Sequence, residues 1–463
     1  MIKFGTDGWR AIISDEFTFD NVKKVAQAIA CYIHNHKLSG KPIIIGYDAR
    51  FLADKFAEKV AYVMENAGID CYLCERDTPT PVVAWEVKDR GACGAVMLTA
   101  SHNPPQYCGI KFIPDYAGPA NEAITKEIEA NLAQSVNFDG KRKGKIERFE
   151  PRERYFKYIE RFFDLDVVKE AKLKVVIDPM YGSGRDYLER ILLRFGCVTE
   201  EIHGYRDVLF GGQNPEPEEK TLQELIAKVR ELKADLGLAL DGDADRFGIV
   251  DELGNFYSAN QTIAMIFEYL IAEKGYTGSV ARSIATTHMI DAIAKLHNIK
   301  VKETPVGFKY IAEVMMKENV ILGGEESGGL TIKGHIPEKD GLLADLLVVE
   351  MVAKRKKPLS KIWEDLKAKI GTFEDRRSKI ELSEEKKNSL IGALKKSPPS
   401  MIGGIKVAEV KTLDGVKIIL EDGSWFLIRP SGTEPLIRLY SESKDNGTLD
   451  KINQFCYNQI GGK

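Results

Sequence analysis

The sequence predicts an α/β fold in which three similar mixed α/β domains and a C-terminal α+β domain surround a central cleft. Three observations predict it. Apolar residues switch between strand-like and helix-like spacing in three successive blocks. A distinctive polar loop follows the last strand of each block. Beyond about Phe373 the pattern changes, and hairpin signals replace the alternation. A chain of 463 residues, 44% apolar, is long enough for three or four separate cores.

In the first block, Ile43-Ile44-Ile45 reads as a strand, and Leu52, Phe56, Val60, Val63 and Met64 follow at helical spacing up to Gly68. A strand around Ile69–Leu73, a helix from Pro81 and a strand Ala95–Leu98 complete a βαβαβ pattern. The second block has a strand at Val175-Val176-Ile177, helices over Tyr187–Phe195 and Thr221–Lys233, and a strand Leu236–Leu240. The third has helices at Ile263–Ile271, Met289–His297 and Tyr310–Lys317, with strands near Val280, at Val301 and over Val320–Leu322. Alternation of this kind points to mixed or parallel sheets covered by helices. The tail reads as a strand, a helix over Glu384–Lys395, several strands with hairpin turns at Asp414-Gly415 and Asp422-Gly423, and a last helix over Leu449–Ile460. The expected domains are 1–145, 146–256, 257–372 and 373–463.

Bulk properties exclude several function classes. With 66 basic and 69 acidic residues the net charge is −3, which is not the concentrated basic surface of a nucleic-acid or anionic-membrane binder. The one basic run, Lys354 to Lys357, reads as a solvated helix end before Pro358. No apolar run reaches the roughly 20 residues that cross a bilayer, and the N-terminus lacks the order of a signal peptide, so a cytoplasmic protein is expected. Seven scattered cysteines, including a Cys71-x-x-Cys74 pair in a strand-like segment, read as buried thiols rather than disulfides or a zinc site.

The chemistry lies in the loops. Leu98 leads into Thr99-Ala100-Ser101-His102-Asn103-Pro104, Leu240 into Asp241-Gly242-Asp243-Ala244-Asp245-Arg246, and Leu322 into Gly323-Gly324-Glu325-Glu326-Ser327-Gly328-Gly329. Ligands bind beyond the carboxyl ends of strands in open α/β sheets, so three loops in equivalent places argue for one shared cleft. Three carboxylates at alternate positions cannot sit together unless a cation offsets their repulsion, and hard oxygen donors suit magnesium. Asp241, Asp243, Asp245 and Glu252 also match positions 1, 3, 5 and 12 of a calcium loop. Arg246 stands at the required glycine and the flanks read as strands, which rejects that reading. Ser101 lacks the G-x-S-x-G frame of a hydrolase, and a serine in such a loop is by itself more often a backbone-bonding turn residue than a nucleophile; His102 alone is a weak signal. In the tail, Arg429-Pro430-Ser431-Gly432-Thr433-Glu434-Pro435 with Arg438 combines guanidiniums, hydroxyls and a glycine, the parts of a phosphate cradle.

These four loops, in this order along essentially the whole chain, resemble those of the α-D-phosphohexomutases. TASHNP is similar to the family's phosphoserine loop, DGDADR to its metal loop, GEESGG to its sugar loop and RPSGTEP to its phosphate loop. The resemblance implies a four-domain, heart-shaped enzyme that moves phosphate on a phosphosugar. It implies that Ser101 carries the transferable phosphate, and that Asp241, Asp243 and Asp245 hold Mg2+ together with an oxygen of that phosphate. By the same resemblance Arg246 pairs with the phosphoserine, Glu325 and Ser327 grip sugar hydroxyls, and Arg429, Ser431, Gly432 and Thr433 hold the non-reacting phosphate, with Arg438 beside them. Arg10 and Lys111 fall near the reacting groups, with Lys111 as the expected proton-transfer helper and His102 next to the serine. The family members that use both mannose and glucose phosphates, or glucosamine phosphate, commonly close the sugar loop with histidine, where Gly329 stands here. The stretches His335-Ile336-Pro337-Glu338-Lys339-Asp340-Gly341 and Val306-Gly307-Phe308-Lys309 resemble instead the branch acting on glucose phosphates. They place His335, Lys339 and Lys309 at the substrate. Glucose 1,6-bisphosphate is the implied intermediate and activator, and a monomer or homodimer with no nucleic-acid or membrane partner is expected. Cys108 stands where the family often has asparagine.

Overall fold

A computed structural model describes residues 2–5, 8–133, 143–431 and 436–461 as four sheets, each covered by helices. The first sheet has six strands in the spatial order Trp9–Ile12, Tyr107–Pro114, Gly94–Leu98, Ile43–Tyr47, Cys71–Cys74, Ile146–Phe149. The second has five, in the order Phe256–Tyr257, Phe247–Asp251, Leu236–Leu240, Lys174–Asp178, Val198–Glu201. The third has four, in the order Val301–Thr304, Ser279–Ser283, Val320–Glu325, Gly329–Ile332. All three are mixed, and they repeat one arrangement. An all-buried strand lies parallel to a neighbour on one side and antiparallel on the other to the strand that follows it. The three polar loops are the connections of those antiparallel pairs, so each leaves the carboxyl end of a buried strand.

The fourth sheet is antiparallel throughout, from Glu374–Glu381 to Met401–Ile402, and carries helices Glu384–Lys396 and Asn446–Ile460. Its hairpins turn at Asp414-Gly415 and Asp422-Gly423 as expected; Gly415 has φ +87° and Gly423 +86°, values an L-residue adopts only with strain.

Several elements were not legible beforehand. Helix Phe19–Asn35, capped by Thr18 and buried along Val22, Val25, Ala26 and Ile29, precedes the first expected strand. Ile146–Phe149 pairs parallel with Cys71–Cys74, so the strand that a boundary at residue 145 assigns to the second domain completes the first sheet. The expected helix end at Lys354–Lys357 is present, since helix Gly341–Arg355 stops there with Lys356 left-handed. All seven cysteines are buried free thiols. Among the described residues no helix is long and apolar enough to cross a membrane.

Packing ties the parts together unequally. One apolar cluster runs from Val82, Trp85 and Tyr155 through Tyr187 and Leu238 to Ile263, Leu322 and Leu346, and so joins the first three sheets. The fourth sheet has its own core around Ile418, Phe426, Ile428 and Leu439. It meets the third through a small cluster of Ile284, Ala285, Trp425, Leu427 and Tyr440.

Candidate active site

Two loops from different sheets meet at the centre. Ser101, 2% exposed, has φ +50°, a left-handed conformation that costs a non-glycine residue about 1 kcal/mol or more. That conformation aims Oγ across the domain boundary, where it donates to Asp241 Oδ2 at 2.9 Å. His102 Nδ1 lies 3.4 Å from the same Oγ. Burial, followed by the charges of Arg246, Arg10, Lys111 and Arg377, holds the His102 imidazole well below its ordinary pKa, so it is neutral near pH 7.

The acidic loop brings oxygens of Asp241, Asp243 and Asp245 within 4.8 Å of one another, all three side chains being buried. Asp241 Oδ1 accepts from the backbone N–H of Asp245 at 2.9 Å and of Arg246 at 3.0 Å, which folds the loop around it. Burial and then its two acidic neighbours push Asp241 well above the ordinary carboxylate range. Burial also opposes ionisation of Asp243, but Lys111 and a hydrogen bond from Thr80 outweigh it and keep that carboxyl below the ordinary range. Asp243 Oδ1 and Asp245 Oδ1 are buried with no hydrogen-bond partner. Buried carboxylate oxygens left orphaned beside two more hard oxygens fit a divalent cation of the magnesium type.

The surroundings are arranged to hold this negative charge. Lys111 Nζ donates to Asp243 Oδ2 at 3.0 Å and Asp245 Oδ2 at 3.1 Å, and Lys339 Nζ from the third domain lies 3.2 Å from Asp245 Oδ2. Thr80, at the start of helix Thr80–Arg90, donates its Oγ1 to Asp243 Oδ2 at 2.7 Å and its N–H to the Asp243 carbonyl at 2.9 Å. Gly341, first residue of helix Gly341–Arg355, donates its N–H to the Ala244 carbonyl at 3.1 Å. Two positive helix ends thus face the acidic loop.

Gly242 permits the contact between the loops. A Cβ there would lie 2.8 Å from the Ser101 carbonyl oxygen.

The remaining expected residues separate into groups. Arg10 NH1 donates to Asn103 Oδ1 at 2.7 Å, within the serine loop. Arg246 pairs with Glu216 at 2.8 Å. Ser327 Oγ donates to Glu325 Oε1 at 2.7 Å, and burial raises the Glu325 carboxyl while Lys339 opposes the rise. Lys309 Nζ reaches Glu122 of the first domain at 3.2 Å, and Tyr310 OH donates to the same oxygen at 2.7 Å, a bridge between first and third domains. His335 is different. Its side chain has no exposed surface, its Nε2 is 2.9 Å from Asp340 Oδ2, and its Nδ1 is 2.9 Å from Tyr158 OH. The ring also stacks on Tyr158, so the structure assigns His335 to packing between domains and not to the substrate. Cys108 is likewise wholly buried, opposite Ala11 in the first sheet.

On the fourth sheet Arg429 and Arg438 stand opposite each other on paired strands, and Arg377 opposes Tyr440. Arg429 Nε donates to Asp414 Oδ2 at 2.7 Å, an oxygen that also accepts the Val306 N–H of the third domain at 3.1 Å. Ser431 accepts from Lys387 Nζ at its carbonyl, 3.1 Å away. Gly432 and Thr433 lie outside the described residues. Burial raises the Tyr440 hydroxyl, with Glu326 of the sugar loop adding to the rise and the three arginines opposing it.

Sequence reasoning missed Arg50, Asp48, Thr80, Thr99 and Arg377. Asp48-Ala49-Arg50 follows an apolar strand just as the three polar loops do, and that placement was the available signal.

The chain is similar to known proteins over nearly its whole length. Four family models match in order: "Phosphoglucomutase/phosphomannomutase, alpha/beta/alpha domain I" over residues 1–137, domain II over 153–254, domain III over 258–370, and the C-terminal domain over 378–459. The chain is 31% identical over 447 residues to a phosphoglucomutase/phosphomannomutase of Thermococcus kodakarensis, covering 95% of this chain and 94% of that protein. It is 32% identical over 458 residues to a "probable phosphoglucosamine mutase" of Methanobrevibacter smithii, covering 98% and 97%. A crystal structure of a "putative phosphomannomutase" from Thermus thermophilus superimposes with TM-score 0.88 at 31% identity, over 100% of this chain and 99% of that one.

Proposed function

Because the chain belongs to the phosphoglucomutase/phosphomannomutase family of phosphohexomutases, we propose that it interconverts glucose 1-phosphate and glucose 6-phosphate through a phosphate carried on Ser101. The observation that carries the reading is the Ser101 Oγ contact with Asp241 at 2.9 Å, beside two orphaned carboxylate oxygens.

In the first half-reaction the P–Oγ bond of phosphoserine breaks, and a new P–O bond forms to the free hydroxyl of the bound sugar phosphate. The hydroxyl proton has an acceptor in the neutral imidazole of His102 rather than in Lys111, the helper expected from the sequence, whose ammonium already donates to Asp243 and Asp245, and the Ser101 oxygen leaves as an alkoxide. After the bisphosphate turns over, the bond between its other phosphorus and the sugar oxygen breaks as a P–Oγ bond forms, which regenerates phosphoserine, and the proton held on His102 passes to the sugar oxygen that is released. Asp241, Asp243 and Asp245 would hold Mg2+, which when bound neutralises charge on the transferring phosphoryl group. Lys111 and Lys339 add fixed positive charge, since both ammonium groups are oriented by carboxylates of the triad. Arg246 is assigned to the phosphoserine, Arg10 to the serine loop beside it, and Glu325 with Ser327 to the sugar hydroxyls. Arg429, Ser431 and Arg438, with Gly432 and Thr433, are assigned to the phosphate that does not react. Enclosure by four domains keeps out the water that would hydrolyse phosphoserine.

The preference for glucose rests on the sugar loop. A Cβ at Gly329 would lie 2.4 Å from Lys339 Cδ and 2.7 Å from its Cγ, so the stem of Lys339 fills the space that a histidine at that position would need. The same reaction on mannose phosphate, alone or beside glucose phosphate, is the second reading, in keeping with the names of the Thermococcus and Thermus proteins, with glucosamine phosphate behind it, in keeping with the name of the Methanobrevibacter relative.

Side-by-side turnover of glucose, mannose and glucosamine 1-phosphates, with Mg2+ and a trace of the matching bisphosphate, tests both readings. Conversion of glucose 1-phosphate to glucose 6-phosphate as the preferred reaction is expected, with Ser101→Ala inactive. Free phosphate as the main product, or normal turnover by Ser101→Ala, would overturn the mechanism.

A further inference from the structure

Resting on the mutase reading, we infer that Arg50 is a positioning residue that clamps the Ser101 loop in its reactive conformation. Its guanidinium is fully buried and all five of its N–H groups are used. Nε donates to Asp48 Oδ2 at 3.1 Å. NH1 donates to the carbonyls of Pro104 at 2.8 Å and Tyr107 at 2.9 Å. NH2 donates to the carbonyls of Ser101 at 2.6 Å and Asn103 at 2.7 Å. One side chain thus gathers four carbonyls of a seven-residue turn, including that of the serine itself.

The clamp has a second arm. Thr99 Oγ1 donates to Asp48 Oδ2 at 2.6 Å and accepts the Ser101 N–H at 2.8 Å. Ser101 is therefore held at both its N–H and its C=O by one buried assembly of Asp48, Arg50 and Thr99. A left-handed serine relaxes to an ordinary backbone region unless its surroundings over-determine it. In this loop those surroundings are polar and specific, not merely packed.

The second domain completes the clamp. Phe210 lies with its ring centre 5.1 Å from the Arg50 guanidinium carbon. Arg206 donates to the Ala49 and Arg50 carbonyls, at 3.1 Å each. The segment that carries Arg206 and Phe210 belongs to the domain that supplies Asp241. Arg50 consequently sets the serine relative to the acidic triad as well as within its own loop. A lysine at 50 could make at most three of the five hydrogen bonds, from a single point, and would lose the fork that spans the turn.

The test uses the full-length protein and follows phosphate transfer onto Ser101 from glucose 1,6-bisphosphate by intact mass in single-turnover mixing. Steady-state kcat and KM for glucose 1-phosphate are measured alongside. Arg50→Lys is expected to slow phosphorylation of Ser101 by about 100-fold, the scale of a displacement near 1 Å at a reacting atom. KM should stay near its wild-type value, because the sugar and distal-phosphate contacts lie on other domains. Thr99→Val, which keeps the side-chain volume and removes both hydrogen bonds, should slow it about tenfold, and Thr99→Ser should restore it. The Thr99 pair keeps the test decisive if Arg50→Lys does not fold. Folded Arg50→Lys, or Thr99→Val, phosphorylated at the wild-type rate would overturn the inference and leave the mutase reading standing. Equal defects in Thr99→Val and Thr99→Ser would also overturn it. A wild-type protein that takes up no phosphate on Ser101 would overturn the mutase reading, and this inference with it.

Discussion

Replacing Gly242 by alanine isolates how closely two domains must approach for the reaction to run. The backbone at Gly242 is not among the left-handed positions, so alanine is conformationally permitted there and any effect is steric. The new Cβ would meet the Ser101 carbonyl oxygen at 2.8 Å, with Pro215 Cγ at 3.1 Å and Cβ at 3.3 Å on the other side. Ordinary contact begins near 3.4 Å, so the serine loop and the acidic loop must part by about 0.6 Å. The loops cannot yield freely, because Arg50 grips the Ser101 carbonyl while Pro215 and Ser183 hold Gly242 at its N–H and C=O. The Ser101 Oγ contact of 2.9 Å to Asp241 would open correspondingly. Since a shift near 1 Å can cost about 100-fold, a loss of about tenfold in kcat is expected, with overpacking of about 1–3 kcal/mol in stability. A coupled assay for glucose 6-phosphate over a Mg2+ titration reads both kcat and the cation requirement. Wild-type kcat with an unchanged Mg2+ midpoint in a folded Gly242→Ala protein would refute the claim that the loops must touch.

Other expectations follow from single contacts. Lys339→Met should tighten Mg2+ binding in the absence of substrate, because the ammonium 3.2 Å from Asp245 repels a cation in the triad. Calorimetric titration showing weaker binding would reverse that assignment. Arg429→Gln should raise KM for glucose 1-phosphate by about tenfold or more, the loss of one charge-assisted hydrogen bond, with a smaller change in kcat; an unaltered KM would remove Arg429 from the phosphate cradle. Lys417 is fully buried at the contact between third and fourth domains, with Nζ 2.7 Å from the Ile284 carbonyl, 3.0 Å from His288 Nε2 and 3.7 Å from the Trp425 ring centre. Burial, and then Arg282, push it down to about 7 from 10.5, while Glu303 and Glu442 pull the other way. The unfolded chain binds this proton more readily than the folded one, so stability should rise with pH between about 7 and 10.5 and fall as pH drops through that window. Scanning calorimetry over that range should show a steeper rise for wild type than for Lys417→Met, and equal slopes would exclude Lys417 as the source.

The four-part architecture, the three loops at strand ends and the chemical type of the acidic loop are legible in the order of the residues. Those features are local: strand and helix periods are written in neighbouring residues, and three aspartates within five positions are crowded however the rest of the chain folds. Which side chains serve the loops depends instead on how the chain folds. The Arg50 contact with the Ser101 carbonyl spans 51 residues and the Asp241 contact with Ser101 spans 140, separations at which one sequence carries no positional signal. His335 shows the converse: its place beside a motif suggests a substrate contact, but Tyr158 and Asp340 occupy its two nitrogens. A polar side chain takes its role from the partners that folding brings within hydrogen-bonding distance, and at the acidic triad Ser101, Thr80, Lys111 and Lys339 all come from another domain.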